Sequence, residues 1–260
     1  MDLKDRVAVV TGAGSGIGRA LAVRLSEIGM RHVVATDLNA DNAAETASMI
    51  SGSASSASLD VSDESAIEAL IDSVEAEHGA IDLFVSNAGY GQRGGLNLST
   101  EDWQRMMNVH CWSHLAAARV LVPRMVERGG GYLLNTASAA GLLTQMDSGP
   151  YAVSKHAAVA LAEWLAINYH EQGLRVSVLC PQAVRTNILG DAPRDGTRQA
   201  AGDGVLEPEF VADACIAAIE DERFLVLPHE EVETYFQRKA ADYDRWLGGM
   251  RRFKARLTGG

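Results

Sequence analysis

The sequence predicts an α/β fold: a single domain with a doubly wound, mostly parallel sheet and helices on both faces. Three observations predict it. Short apolar runs alternate with helical patterns along nearly the whole chain, the order that a parallel sheet with crossover helices requires. The first of these runs breaks into a glycine-rich turn that opens directly onto a helical pattern. No Pro-rich or Gly/Ser-rich linker divides the 260 residues, and a chain of that length can bury one large core.

Arg6 to Thr11 is the first strand, Gly12-Ala13-Gly14-Ser15-Gly16-Ile17-Gly18 the turn, and Arg19 to Ile28 the first helical pattern. Glycine reaches positive φ and lets a ligand approach the backbone, and the helix start offers free N–H groups to a pyrophosphate. Gly12, Ser15, Gly16, Ile17 and Gly18 are therefore candidate cofactor contacts. The spacing is GxxxGxG, neither GxGxxG nor a P-loop, and a tight β–α turn without a ligand is the alternative. The second strand, His32 to Thr36, ends at Asp37, 19 positions past Gly18. An acid there hydrogen-bonds the adenosine ribose and repels a 2′-phosphate, which favours NAD over NADP. Ser15 and Leu38 stand where an arginine would welcome that phosphate. Asp37 is also compatible with a helix-cap or turn role.

A helix is expected over Asn42 to Ile50. The polar segment Ser53 to Ser58 is placed as the third strand only by its position in the alternation, and Asp60-Val61 follow it. A helix from Glu64 to Glu77 leads to the strand Ile81 to Val85 and to Ser86-Asn87-Ala88-Gly89. Small residues at a strand's carboxyl end leave room for a nucleotide across the sheet; an ordinary Asn/Gly turn reads the same way. A helix over Trp103 to Arg128, a strand over Tyr132 to Ala137, a helix over Tyr151 to Gln172 and a strand over Arg175 to Cys180 come next. Pro181 ends that strand. The polar loop Gly190 to Gly204 reads as a lid or a disordered segment. Pro208 to Glu220 is a helix and Phe224 to Leu227 the last strand. In the tail, His229 to Leu257, acids come first and bases last, which suits a helix dipole, and Phe236, Tyr243, Leu247 and Met250 recur at helical spacing. It reads as one packing or subunit-contact helix.

Tyr151 and Lys155 are four apart and share one helix face. A free phenol titrates near about 10, and a cation within about 4–6 Å favours its charged form by roughly 1–3 units. Tyr151 so placed can serve as an acid or base near neutral pH. Ser138, 13 positions upstream at a strand end, can bring a hydroxyl to the same spot. Taken alone, the tyrosine–lysine pair also fits a solvated helix face.

Thr11-Gly12 through Gly18, Asp60, Asn87-Ala88-Gly89, Ser138, Tyr151 and Lys155, in this order, resemble the motif series of the short-chain dehydrogenase/reductase family over residues 5–228. The resemblance implies a single-domain Rossmann fold with a seven-stranded sheet over residues 1–228. A helical extension, 229–260, would pack on it or on a neighbouring subunit of a homo-oligomer, a tetramer or dimer. It implies that Asp60 meets the adenine amino group, that Val61 lines its pocket, and that Asn87, Ala88 and Gly89 border the adenosine ribose and the nicotinamide side. Pro181, Val184 and Thr186 match positions beside the nicotinamide carboxamide. Asn108 matches an asparagine that holds a water linked to the lysine; a helix-kink residue is the alternative. The implied activity is NAD-dependent interconversion of a secondary alcohol and a ketone on a hydrophobic small molecule. In it Tyr151 takes the hydroxyl proton, Ser138 bonds the developing oxyanion, Lys155 lowers the phenol's pKa and holds the ribose, and Asn108 completes a water relay. The chain departs from the family pattern at Gln182, where a glycine is usual, and at Ala137, where a serine is usual. The competing readings are a dinucleotide-binding sensor or scaffold without turnover, an NADP-dependent carbonyl reductase, and a different chemistry such as epimerisation or dehydration. The sensor reading is opposed by the presence of Asn108, Ser138, Tyr151 and Lys155 together; the different chemistry is opposed by the glycine spacing and chain length.

A net charge of −11 weighs against binding a phosphate backbone, so nucleic acid is not an expected partner. No apolar run approaches a membrane span, and the opening Met1 to Arg6 lacks a signal-peptide pattern, so a cytoplasmic protein is expected. Cys111, Cys180 and Cys215 lack CxxC pairing and read as buried reduced thiols. His110 and His114 have metal-ligand spacing but no third ligand, and no metal is expected. Leu142, Leu143, Met146, Ile188 and Leu189 form either an apolar substrate wall or plain core.

Overall fold

The structure, a computed structural model, describes residues 1–188 and 203–258. Its strands are β1 (Val7–Thr11), β2 (His32–Asp37), β3 (Ala54–Ser58), β4 (Leu83–Ser86), β5 (Gly131–Thr136), β6 (Leu174–Leu179) and β7 (Leu225–Val226). They form one sheet in the order β3-β2-β1-β4-β5-β6-β7, and every pairing is parallel. The helices are α1 (Gly16–Glu27), α2 (Ala40–Met49), α3 (Glu64–His78), α4 (Thr100–Met107), α5 (Ser113–Glu127), α6 (Ala140–Leu143), α7 (Gly149–Tyr169), α8 (Pro208–Glu220), α9 (Glu231–Ala241) and α10 (Tyr243–Thr258).

Parallel strands covered on both faces read as continuous apolar runs because each face needs its own core. β1 shows this directly: Val7 and Val9 enter the core under α3, α5 and α7, while Ala8 and Val10 enter the core under α1 and α8. The chain winds outward from β1 to β3, then returns to β4 at the other side of β1 and winds the opposite way. The crevice above the carboxyl ends of β1 and β4 is therefore the switch point at which open α/β sheets bind ligands.

One faint expectation, the third strand, is met, and three others are corrected. The weakly patterned segment forms a true edge strand, β3, paired with β2 from Val33↔Ala54 to Asp37↔Ser58. Its serines are used there: His32 holds Ser53 Oγ at 2.8 Å and Ser55 Oγ at 2.9 Å, so cross-strand contacts override a poor propensity. The helix expected over Trp103 to Arg128 begins earlier, at a capping box of Ser99 and Asp102, and is interrupted by a π-turn, Asn108–Trp112. α7 starts two residues before Tyr151 because Ser148 caps it, accepting from Tyr151 N at 3.3 Å, with Pro150 in the first turn. The tail is two helices, split where Asp242 takes an extended conformation at φ −155° and ψ 95°. Most of the Gly190 to Gly204 loop, and Leu189 before it, lie outside the described residues.

Candidate active site

The crevice floor is tied by one threonine. Thr11 Oγ1 donates to Val85 O and accepts from the backbone N–H of Asn87 at 2.9 Å and Ala88 at 3.1 Å. Asn87 returns the contact through Nδ2 to Thr11 O at 3.1 Å, and its Oδ1 accepts from Thr136 Oγ1 at 3.2 Å. The ends of β1, β4 and β5 are thus locked together. Gly12 must be glycine here: its φ is +63°, and a Cβ would lie 2.7 Å from Ala88 Cα. Gly18 is a packing residue instead, since its Cβ would lie 2.2 Å from Gly12 O, and it does not line the cavity. At the start of α1, Ser15 gives no side-chain bond to the first turn, so those N–H groups remain for a ligand.

One cavity of about 1390 Å³ runs from this turn to the C-terminal helices. Drug-sized sites occupy roughly 300–1,000 Å³, so there is room for a dinucleotide and a substrate together. Gly12, Ser15, Gly16 and Ile17 line it at one end, beside Asp37, Leu38, Asp60 and Val61. Asn87, Ala88, Gly89, Pro181, Val184 and Thr186 line its middle, with Ser138, Tyr151 and Lys155. Asp37 has a second role as well: its Oδ2 accepts from Gly14 N and its Oδ1 from Asn39 N, both at 3.0 Å, so it also holds the glycine turn in shape. The Asp60 carboxylate accepts from Ser62 N and Oγ at 2.9 and 2.7 Å. Of the apolar wall, Leu143 and Ile188 reach the cavity, whereas Leu142 belongs to the core. The two departures are accommodated. Ala137 is buried, and Gln182 donates from Nε2 to Asp203 at 3.0 Å and from its backbone to His229 Nδ1 at 3.2 Å.

Ser138 leaves β5 where Tyr151 and Lys155 arrive on α7; its Oγ donates to Pro181 O at 3.4 Å, accepts from Ala140 N at 3.1 Å and stands beside the Tyr151 phenol. Lys155, only 3% exposed, donates from Nζ to Thr136 O at 2.9 Å, and Nζ lies 5.7 Å from the Tyr151 ring centroid. Burial pushes Lys155 down to about 8. The expectation that the ammonium draws the phenol down is not met by this geometry. Burial pushes Tyr151 above its usual value, and the opposing pull comes from Ser138. Asn108 begins the π-turn. Its side chain accepts from Gln104 at 2.7 Å outside the cavity, and its carbonyl accepts from Ser113 N to close the π-turn.

That π-turn delivers a residue not anticipated in this role, His110, to the cavity wall. Its Nε2 accepts from Tyr90 N at 3.1 Å, which places the ring proton on Nδ1. Nδ1 then donates to Ser154 Oγ at 2.9 Å, and Ser154 Oγ donates to the main-chain carbonyl of Tyr151 at 3.1 Å. His110 is thus a neutral strut between the loop after β4 and α7, and its ring meets Tyr151 edge-on at 5.4 Å. Burial, with Lys155 and His114 nearby, holds its pKa well below 6.5, and burial pushes His114 down to about 3. Because the unfolded chain binds these protons first, folding stability is expected to fall as pH drops below about 6.5. Urea midpoints against pH test this. His110→Phe should lower stability at pH 7 by about 1–3 kcal/mol, the cost of an orphaned Tyr90 N–H, and flatten the acid slope; an unchanged slope would remove His110 from the account. Among the described residues no group of three His, Cys, Asp or Glu is placed to hold a metal ion.

Comparison with known proteins agrees with this geometry. The short chain dehydrogenase family model matches residues 6–196. The chain is 33% identical over 243 residues to 1-deoxy-11-beta-hydroxypentalenate dehydrogenase of Streptomyces avermitilis, covering 90% of this chain and 88% of that one. A short chain dehydrogenase/reductase from Burkholderia phymatum, solved in complex with NAD, superposes with a TM-score of 0.86 at 30% identity, over 94% of this chain and 96% of that one. A 7 alpha-hydroxysteroid dehydrogenase complexed with NADH and 7-oxo glycochenodeoxycholic acid superposes with a TM-score of 0.80 at 26% identity, over 87% and 94%. With its glycine turn at the sheet's switch point and its Ser138, Tyr151 and Lys155 in one cavity, the chain belongs to the short-chain dehydrogenase family.

Proposed function

We propose that the protein is an NAD-dependent oxidoreductase that interconverts a secondary alcohol and a ketone on a hydrophobic small molecule. The observation that carries this is the meeting of Ser138, Tyr151 and Lys155 in the same cavity as the open N-terminus of α1. The glycine cradle fits a dinucleotide: Gly12, Ser15, Gly16 and Ile17 would hold its diphosphate, Asp37 its adenosine ribose, and Lys155 the ribose next to the nicotinamide. When bound, the nicotinamide supplies hydride chemistry. The chain's own part is proton handling and orientation. The Ser138 hydroxyl anchors the substrate oxygen, and the Tyr151 phenolate removes its proton. Asn108 acts through the widened turn that it opens. The similar proteins named above are, by name, dehydrogenases of a hydroxypentalenate and a hydroxysteroid, which supports a hydroxy compound as substrate. An assay of neutral secondary alcohols with NAD should yield NADH; no product from any alcohol or the matching ketones would defeat the proposal.

Cofactor choice rests on Asp37 at the end of β2. Asp37→Ala is expected to narrow the kcat/KM ratio of NAD over NADP by about tenfold or more, the weight of one charge-assisted hydrogen bond. Because Asp37 also supports Gly14, efficiency with both cofactors should fall as the ratio narrows. A constant ratio would show that the carboxylate does not face the ribose.

The acting form is proposed to be a cytoplasmic homo-oligomer. Trp112, Val153, Trp164 and Ile167 leave large apolar groups exposed, and the last three lie on α7. Ile167→Glu should lower the sedimenting mass toward that of a 27.7 kDa chain; a wild-type protein already of that mass would refute the assembly.

A further inference from the structure

We infer that the substrate is an alcohol or ketone whose apolar framework carries a carboxylate, bound by Arg238 and Arg256 of the two C-terminal helices. The alcohol or ketone part rests on the oxidoreductase reading above; the acid part stands on the cavity wall alone.

α9 is fastened beside the catalytic strand. Val232 is fully buried in the core, and Lys239, itself buried, donates from Nζ to Leu142 O at 2.5 Å, at the end of the short helix that follows Ser138. Tyr235 and Arg238 are one turn apart on α9 and both line the cavity. On α10, Trp246, Met250 and Phe253 follow the i, i+4, i+7 spacing of one helix face, and all three line the cavity. Arg256, one turn further, also lines it and lies 5.7 Å over the Phe253 ring. From Trp246 to Arg256 this face runs roughly 15 Å at 1.5 Å per residue. An apolar strip that ends in a guanidinium is complementary to a greasy body with an anionic end.

The charges agree. At the substrate end the cavity is lined by Arg93, Arg105, Arg238 and Arg256 against Asp147 and Asp203. Both acids are engaged: Asp147 lies 3.7 Å from Arg93, and Asp203 accepts from Tyr235 and Gln182, each at 3.0 Å. No carboxylate of the described residues lies within ion-pair distance of Arg105, Arg238 or Arg256. In a chain of net charge −11, this wall has the opposite sign, and such a field favours an anion. The cofactor's diphosphate does not account for it, since that group belongs to the glycine turn and α1. Guanidinium presents the paired donors that a carboxylate accepts.

The test uses the full-length protein saturated with NADH, with binding read from tryptophan fluorescence. Glycochenodeoxycholate and 12-hydroxyoctadecanoate are each compared with their own methyl ester. In at least one pair the acid should bind about tenfold more tightly than the ester, and added salt should erode the difference. The Arg238→Gln/Arg256→Gln double variant should bring the ratio toward one. Arg119→Gln, an exposed arginine paired with Glu64 outside the cavity, should leave it unchanged. Acids that bind no better than esters in both pairs, or a ratio that survives the double variant, would overturn the inference. Oxidation of neutral alcohols without acid preference would defeat the inference and leave the oxidoreductase reading standing; acid preference without any hydride transfer would do the reverse.

Discussion

Tyr151→Phe is expected to lower alcohol oxidation by about 10²–10⁴-fold, the share of rate that one positioned proton acceptor supplies, while NAD still binds. The substitution removes a single oxygen. The ring should keep its edge contact with His110 and its place 5.7 Å from Lys155 Nζ, so the cavity retains its shape. What disappears is the hydroxyl that stands beside Ser138. Turnover and calorimetric NAD affinity should therefore separate, and full turnover in the variant would reject the assignment. The wild-type pH profile carries a related signature. Burial holds the phenol above its usual value, so oxidation, which requires the phenolate, should rise with pH through the alkaline range. Ser138→Ala removes the hydroxyl that pulls the phenol down, and should move that rise to still higher pH.

Lys155→Met should abolish most turnover and yet stabilise the fold. The Nζ atom is buried without a carboxylate partner among the described residues, and Thr136 O is its hydrogen-bond acceptor. Burial lowers its pKa from 10.5 to about 8, and a shift of that size corresponds to a cost on the order of 3 kcal/mol for keeping the ammonium charged. The sign follows from proton uptake. Below about pH 8 both folded and unfolded chains hold the proton, so the cost is fully present; between about 8 and 10.5 only the unfolded chain holds it, and the wild type recovers stability as pH rises. Methionine keeps the stem's volume without the charge. Its advantage in urea midpoint, about 1–3 kcal/mol at pH 7 once the lost bond to Thr136 is deducted, should shrink toward pH 10. A variant that is less stable than wild type at pH 7 would show that Lys155 is held by favourable contacts and carries no burial cost.

Much of this architecture was legible because it is local in the chain. The β-branched runs of β1 and β2, the glycines between β1 and α1, and the four-residue step from Tyr151 to Lys155 need no knowledge of distant neighbours. β3 was barely legible because its serines are chosen by His32 across the strand pair, not by propensity. The break in the tail at Asp242 has neither glycine nor proline to announce it. At the site, the glycine turn, Asp37, Ser138, Tyr151 and Lys155 could be named from the sequence. The strut role of His110 could not, since its partners, Tyr90 and Ser154, are 20 and 44 positions away. The phenol's pKa was misread for the same reason: the cation was visible in the spacing, whereas the phenol's removal from water depends on the whole fold.

The π-turn at Asn108–Trp112 has a consequence for phase. Closing the chain from Asn108 O to Ser113 N, one residue wider than a regular turn, absorbs one residue without advancing the segments on either side. Met106 of α4 and Ala117, Leu121 and Met125 of α5, all buried to within a percent of zero exposure, therefore keep the mutual phase of a regular helix one residue shorter. Deleting one residue between 108 and 112 should close an ideal spiral and leave those four buried, while the widened turn that carries His110 to the cavity wall is lost. The irregularity is therefore a spare residue stored in the rod, spent on the cavity and not on the core.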